Sequence, residues 1–341
     1  MHIGSPDPVV PGEPTQSGLS GRPWASLPVP LYGPALAMLG LSLLIPGTWP
    51  GDAAPPLSVW LEMAGIALLM GAVLAHIGKA LLAPTAWAQD MRNPATAPFM
   101  GQIGVALSLL CELHASDDAP IAPALFAAST VVALVNGCHA CWLWQRARPS
   151  WRDASPAWLL PPVQWLYLGA LAPHHGPLLQ APMLIVGGVL SACVCAALWR
   201  RALQGPPWPV PVLPAFAVLV ALPAVASLAS LAASGAFWSV LAAACLSLTF
   251  ATWIGAMAAL PRVRRHAFRV SWWAYGMPLS AAAIAFQSAA DHWGAPAPIQ
   301  WAARGAGALS VLITLALLLL LGLPVPEASA VHRFLFASRA H

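Results

Sequence analysis

Cys138, His139 and Cys141 form a Cys-x-x-Cys run with a histidine inside it, the stretch of this chain with the most metal-like spacing. On a helix that spacing puts two thiols on one face, and a zinc site would still need two more ligands. His114, His174 and His175 fall in loop positions, and are not paired at mid-membrane as haem ligation requires. No GxSxG, HExxH or phosphate-binding loop occurs. No metal, no cofactor and no catalytic residue is therefore expected, and an enzyme is the weakest class. The six cysteines all lie in apolar runs and read as small buried hydrophobes.

Polar chemistry is sparse elsewhere. Ser280, Gln287 and Asp291, spaced i, i+7 and i+11, share one helical stripe. That stripe is either a wetted wall or a hydrogen-bonded seam between helices. His76 and Lys79 lie one turn apart and, with nearby arginines, could enrich anions at a cytoplasmic mouth. Topology signalling alone explains the same arginines without any function.

The elements that must carry these residues are membrane helices. The 341 residues are 59% hydrophobic and 8% charged, with a mean hydropathy of +0.72, far from the roughly 25% charged of soluble domains. At about 20 apolar residues per span, apolar runs separated by Pro, Gly or charge predict ten helices. They lie near 27–46, 58–82, 96–115, 120–146, 156–174, 181–203, 209–232, 236–261, 268–292 and 298–325. Residues 1–26 read as a disordered cytoplasmic tail and 326–341 as a second one, leaving 27–325 as the membrane domain. Fourteen of the fifteen Lys and Arg residues then fall on one side of the membrane, the exception being Arg304, for which Asp291 is the natural partner. Both termini are placed inside. Scattered basic residues form no nucleic-acid-binding face, so the partners expected are the bilayer and small solutes.

Prolines recur in the odd-numbered helices: Pro30 and Pro34, Pro98, Pro161 and Pro162, Pro214 and Pro223, and Pro278. A proline in a helix interior costs about 3 kcal/mol, so the repetition suggests five helical hairpins, each with a bent inner helix, around a central pore. Prolines that merely mark helix starts would explain Pro30 and Pro98 but not Pro223 and Pro278. In the ninth helix Pro278 should free the carbonyl of Ala274, with Gly276 loosening the same turn. The resulting fold class is all-α integral membrane.

The segment Trp272-Trp273-Ala274-Tyr275-Gly276-Met277-Pro278 closely resembles the Trp-Ala-Tyr/Phe-x-Phe-Pro segment of the tellurite-resistance/dicarboxylate transporter family, which includes bacterial TehA-type proteins and the slow anion channels of plant guard cells. Weaker likeness extends to Leu31-Tyr32-Gly33-Pro34, to Met91 through Phe99 and to Leu213-Pro214-Ala215-Phe216. The resemblance implies a homotrimer of ten-helix protomers in a bacterial-type inner membrane. Each protomer would hold its own pore, lined by the five odd helices and passing small inorganic or organic anions. In the family a phenylalanine before the ninth-helix proline plugs the pore, and here that position is Met277. Met277 and Pro278 are thus the expected gate. Pore-lining or kink candidates are Pro34, Gln102, Pro161, Pro162, Gln164, Tyr167, Pro214, Phe216, Pro223, Ser280, Ile284 and Gln287. Met277 could instead fill a packing gap while Phe216 or Tyr167 closes the path. The function expected is a passive channel for small monovalent anions. The alternative is a secondary transporter of the same fold exporting dicarboxylate, sulfite or tellurite-related anions.

Overall fold

The computed structural model describes residues 23–48, 54–115, 120–205, 208, 210–233, 235–263 and 270–322. The expected tails lie outside these residues apart from 23–26. Within them the chain is helical, with no strand. The helices are α1 (Gly33–Thr48), α2 (Ala54–Leu82), α3 (Pro84–Arg92), α4 (Gly101–Leu113), α5 (Ile121–Ala147), α6 (Leu160–His175), α7 (Gln180–Gln204), α8 (Val218–Leu231), α9 (Ala236–Val263), α10 (Gly276–His292) and α11 (Ala297–Gly322).

Seven helices are long and apolar enough to cross a membrane, or eight if α3 and the segment Ala97–Leu113, which meet at 102°, are one broken span. The difference from ten has a plain cause. The inner helices α4, α6 and α10 have only 13, 16 and 17 residues, and they dilute their apolar content with Gln102, Gln164, Gln287 and histidines.

Burial separates two classes of helix. In the spans Val29–Pro46 and Leu213–Leu231, 72% of residues are buried, against 17% in the spans containing α2 and α9. Leu74 and Leu81 on α2 are 61% and 75% exposed, which in a chain this apolar is a lipid-facing surface. The inner class closes on itself: α1 packs on α4, α4 on α6, α6 on α8, α8 on α10, and α10 back on α1. Each inner helix carries a long neighbour outside it, α2, α5, α7, α9 and α11 in turn.

Lipid offers no hydrophobic drive for helices to associate, so close approach at small residues does the work. The crossing of α1 and α10 is such a case. A Cβ on Gly276 would overlap the Ala37 methyl, one on Gly33 would sit 2.8 Å from Trp273 Cβ, and one on Gly40 would sit 3.2 Å from Ser280 Cβ. Ser310 Oγ on α11 donates to Leu279 O at 3.0 Å, and Ser42 Oγ on α1 donates to Ser58 O on α2 at 2.8 Å. Inner and outer helices are thereby pinned together through backbone carbonyls.

The proline pattern resolves differently from a set of mid-helix kinks. Every inner helix is entered through a 3-10 segment: Val29–Tyr32, Ala97–Met100, Pro156–Leu159, Val210–Ala217 and Val270–Tyr275. Pro30 and Pro98 stand at the starts of their 3-10 segments, and Pro161 and Pro162 in the first turn of α6. Pro34 and Pro278 are second and third residues of α1 and α10. In a first helical turn a missing N–H costs nothing, because that donor has no partner within the helix anyway. The ninth predicted helix instead changes from 3-10 to α geometry at Tyr275–Gly276, with Pro278 in the first turn of the α segment. Among the prolines singled out in the sequence, the helix-start explanation leaves over Pro223, inside α8, and Pro214, inside its 3-10 segment; Pro46 of α1 and Pro173 of α6 also lie inside their helices, near the C-terminal ends.

Helix α3 lies in what sequence reading left as a loop between the second and third spans. Its signals were local. Pro84 takes a position in the first turn, Trp87 and Met91 are spaced i, i+4, and Arg92 stands in the last turn.

Candidate functional site

The interior of the inner ring is the candidate site. One contiguous apolar cluster takes in Tyr32 and Leu36 before and on α1, Val105 on α4, Val163 and Tyr167 on α6, Leu222 and Val225 on α8, and Met277 and Ala281 on α10. Met277 is 7% exposed and belongs to this cluster, which also takes in outer-helix residues such as Leu69 on α2, Phe126 on α5 and Leu184 on α7. An unbranched thioether with three rotatable bonds fills such a space without a ring's rigidity. Its backbone lies beside α1, with Met277 Cα 3.8 Å from where a Gly40 Cβ would be. Pro278, Pro161, Pro162, Pro214 and Pro223 are buried, while Pro34, Phe216 and Ile284 are half-buried. Phe216 packs edge-on against Trp208 with centroids 4.6 Å apart.

The stripe on α10 is graded by depth. Ser280 is fully buried and donates to Gly276 O at 3.2 Å. Gln287 is half-buried and Asp291 exposed, so polarity rises toward the C-terminal end of the helix. Asp291 and Arg304 do not pair. The two ion pairs among the described residues lie elsewhere, and the Arg304 guanidinium rests over the Trp301 ring at 5.4 Å.

Two core glutamines each leave a carbonyl oxygen unpaired: neither Oε1 of Gln102, which is 8% exposed, nor Oε1 of Gln164 has a hydrogen-bond partner. Gln164 is fully buried and lies directly against Gly104, where any Cβ would overlap its amide. Its Nε2 donates to Ser129 O at 3.2 Å. Ser129 Oγ donates to Gly104 O at 2.9 Å and meets Ser108 Oγ at 2.8 Å. Gln164 thus belongs to a polar seam among α4, α5 and α6. Gly104→Ala is expected to force the Gln164 amide off Ser129 into apolar surroundings and to cost about 1–3 kcal/mol. Gly104→Ala combined with Gln164→Ala should recover most of that loss in thermal unfolding of the detergent-solubilised protein.

His76 and Lys79 are not free at a mouth. Both are buried. The Lys79 ammonium pairs with Asp90 of α3 at 2.5 Å and donates to Leu27 O at 2.6 Å. Its charge is compensated, and it joins α2, α3 and the segment leading into α1. His76 stacks on Tyr32 with centroids 5.0 Å apart, meets Trp87 edge-on, and has its Nδ1 2.9 Å from Ala72 O. The group that sequence reading missed is Asp90, eleven positions from Lys79 and brought back by the turn at Ala83. Glu62 was missed as well. It sits on α2 and pairs with His114 Nε2 beyond α4 at 2.9 Å.

In the Cys-x-x-Cys run Cys138 is exposed and Cys141 half-buried, and among the described residues no cluster of three or more His, Cys, Asp or Glu is placed to hold an ion.

In comparisons with known proteins, the profile described as voltage-dependent anion channel matches residues 26–321. No curated protein matches the chain. The matched residues take in the whole inner ring, its five 3-10 entries and the outer helices around it. The chain belongs to the voltage-dependent anion channel (SLAC1) family, whose members, the TehA-type proteins among them, are multi-pass anion channels and transporters rather than enzymes.

Proposed function

We propose that the protein is a passive channel for small monovalent anions, with ten spans and a pore inside the ring of α1, α4, α6, α8 and α10, closed at Met277 and Pro278. The observation that carries this reading is that five short helices close into a cycle, with Met277 buried in the apolar core they share with the outer helices. Shielded by longer helices, they need neither the length nor the hydropathy of lipid-facing spans.

The charge pattern supports passive conduction. Helices α1, α6 and α8 carry no Asp, Glu, Lys or Arg, while Glu112 and Asp291 stand at the C-terminal ends of α4 and α10. A proton-coupled carrier commonly places a carboxylate or histidine at mid-membrane. A neutral, narrow conduit suits weakly hydrated anions, which give up water cheaply. On this reading the protein works as a homotrimer in a bacterial-type inner membrane, with residues 27–325 as the channel domain and both tails in the cytoplasm.

Reversal potentials in liposomes test the mechanism. They should follow the nitrate or chloride gradient and ignore an imposed pH gradient. A reversal potential displaced by the proton gradient would instead identify the coupled carrier of dicarboxylate, sulfite or tellurite-related anions.

A further inference from the structure

The C-terminal end of α7 carries Arg200 and Arg201, and the short 3-10 turn Trp151–Asp153, on the way from α5 to α6, packs against that helix. One aromatic ring joins the two. The guanidinium carbon of Arg152 lies 5.3 Å and that of Arg200 4.9 Å from the centroid of the Trp151 ring, so two cations from separate elements are held on a single indole. Both side chains are exposed, and neither enters the two ion pairs among the described residues.

The neighbours do not cancel that charge. Arg201 is committed to structure: its Nη1 donates to Ala154 O at 2.6 Å, and its guanidinium rests over the Trp208 ring at 5.1 Å. Asp153, the acid of the turn, accepts the Ser150 N–H at 2.8 Å through Oδ2 and acts on the charge of Arg201. Arg146 and Arg148, at the end of α5, add exposed charge of the same sign. Like charges gathered this way repel, and an anion set between them relieves the repulsion.

Depth decides which anion. At 1.5 Å per residue the 25 residues of α7 run about 37 Å, against about 30 Å for the hydrocarbon core. Its last turn therefore stands in the headgroup layer. Trp199 and Leu203, flanking Arg200 on the same helix, are exposed on the outer surface, so the paired guanidiniums border lipid. Topology signalling asks for arginines on this side, but not for two on one ring.

We propose that Arg152, Arg200 and Trp151 form a binding site for the phosphate of an anionic phospholipid in the cytoplasmic leaflet. Guanidiniums hydrogen-bond phosphate oxygens in pairs, and the indole face holds both of them ready for it. The site depends on the chain's crossing a membrane and not on what the ring conducts.

The test uses the full-length protein, delipidated in detergent, where membrane orientation plays no part. Native mass spectrometry should show phosphatidylglycerol bound more tightly than phosphatidylcholine on the order of thirtyfold, since one basic residue near an anionic surface is worth about fivefold. Arg152→Gln with Arg200→Gln should remove most of that preference, with phosphatidylcholine binding in the same spectra as the reference for an intact fold. Trp151→Leu, which changes no charge, should weaken it severalfold. Arg304→Gln, which removes the lone guanidinium over Trp301 at the other side, should leave it intact. A parent with equal affinity for the two lipids, or a double variant with the parent's preference, overturns the site. Undiminished preference in Trp151→Leu overturns the ordered site in favour of diffuse charge. Inorganic phosphate that displaces phosphatidylglycerol better than chloride does at equal ionic strength overturns the lipid as its occupant.

Discussion

Met277→Ala is expected to raise anion conductance on the order of tenfold, equivalent to lowering the barrier by about 1.4 kcal/mol. Met277 is buried in an apolar cluster to which all five inner helices contribute, and if it is the proposed gate, shortening its side chain opens a dry constriction to water and ion. Met277→Phe should act in the opposite direction, since a ring cannot flex aside as a thioether can. Single-channel recording in planar bilayers separates the two variants. If neither changes conductance, Met277 is a packing residue and the closure lies elsewhere in the ring, with Phe216 and Tyr167 next to be tested.

Asp90→Ala is the second large effect. It strands the Lys79 ammonium, itself 3% exposed at the side chain, beside Leu27 O with no counter-charge. Breaking a sealed ion pair costs 3–5 kcal/mol, and because the Asp90 carboxylate keeps 25% exposure about 2–3 kcal/mol is the expected loss. Lys79→Met should cost less, since it removes the buried charge and leaves a carboxylate that water can reach. Thermal unfolding in detergent should rank wild type, Lys79→Met and Asp90→Ala in that order. The reverse order would mean that Asp90 holds α3 by something other than Lys79.

The long outer helices were legible in the sequence because lipid imposes one rule on them, as in 236–261 against the observed Ala236–Val263. The runs 209–232 and 268–292 instead hold 3-10 segments and become α-helical only at Val218 and Gly276. Helix α3 escaped that rule because it has nine residues and is amphipathic. The prolines were read as interior kinks because hydropathy runs straight through a 3-10 to α change, and nothing in the residues around Tyr275 and Gly276 marks where one geometry hands over to the other.

The candidate site was legible in type more than in placement. Met277 could be singled out, and it does enter the inner cluster. Gln164 was read as a pore-lining candidate and Lys79 as a group of the cytoplasmic mouth; the one lies against Gly104 and the other pairs with Asp90. Both outcomes depend on which helix crosses close by, and that is set by pairs such as Gly104 and Gln164, sixty residues apart. A lone glycine in an apolar run gives no sign of what will approach it.

That the inner ring is the anion path is tested most directly with Met277→Cys. In liposomes, a small membrane-impermeant thiol reagent should abolish conductance through Met277→Cys. It should leave both the parent protein, with its native cysteines, and Leu74→Cys on the lipid face of α2 unaffected. Conductance that survives modification of Met277→Cys, or that is lost with Leu74→Cys, would contradict it.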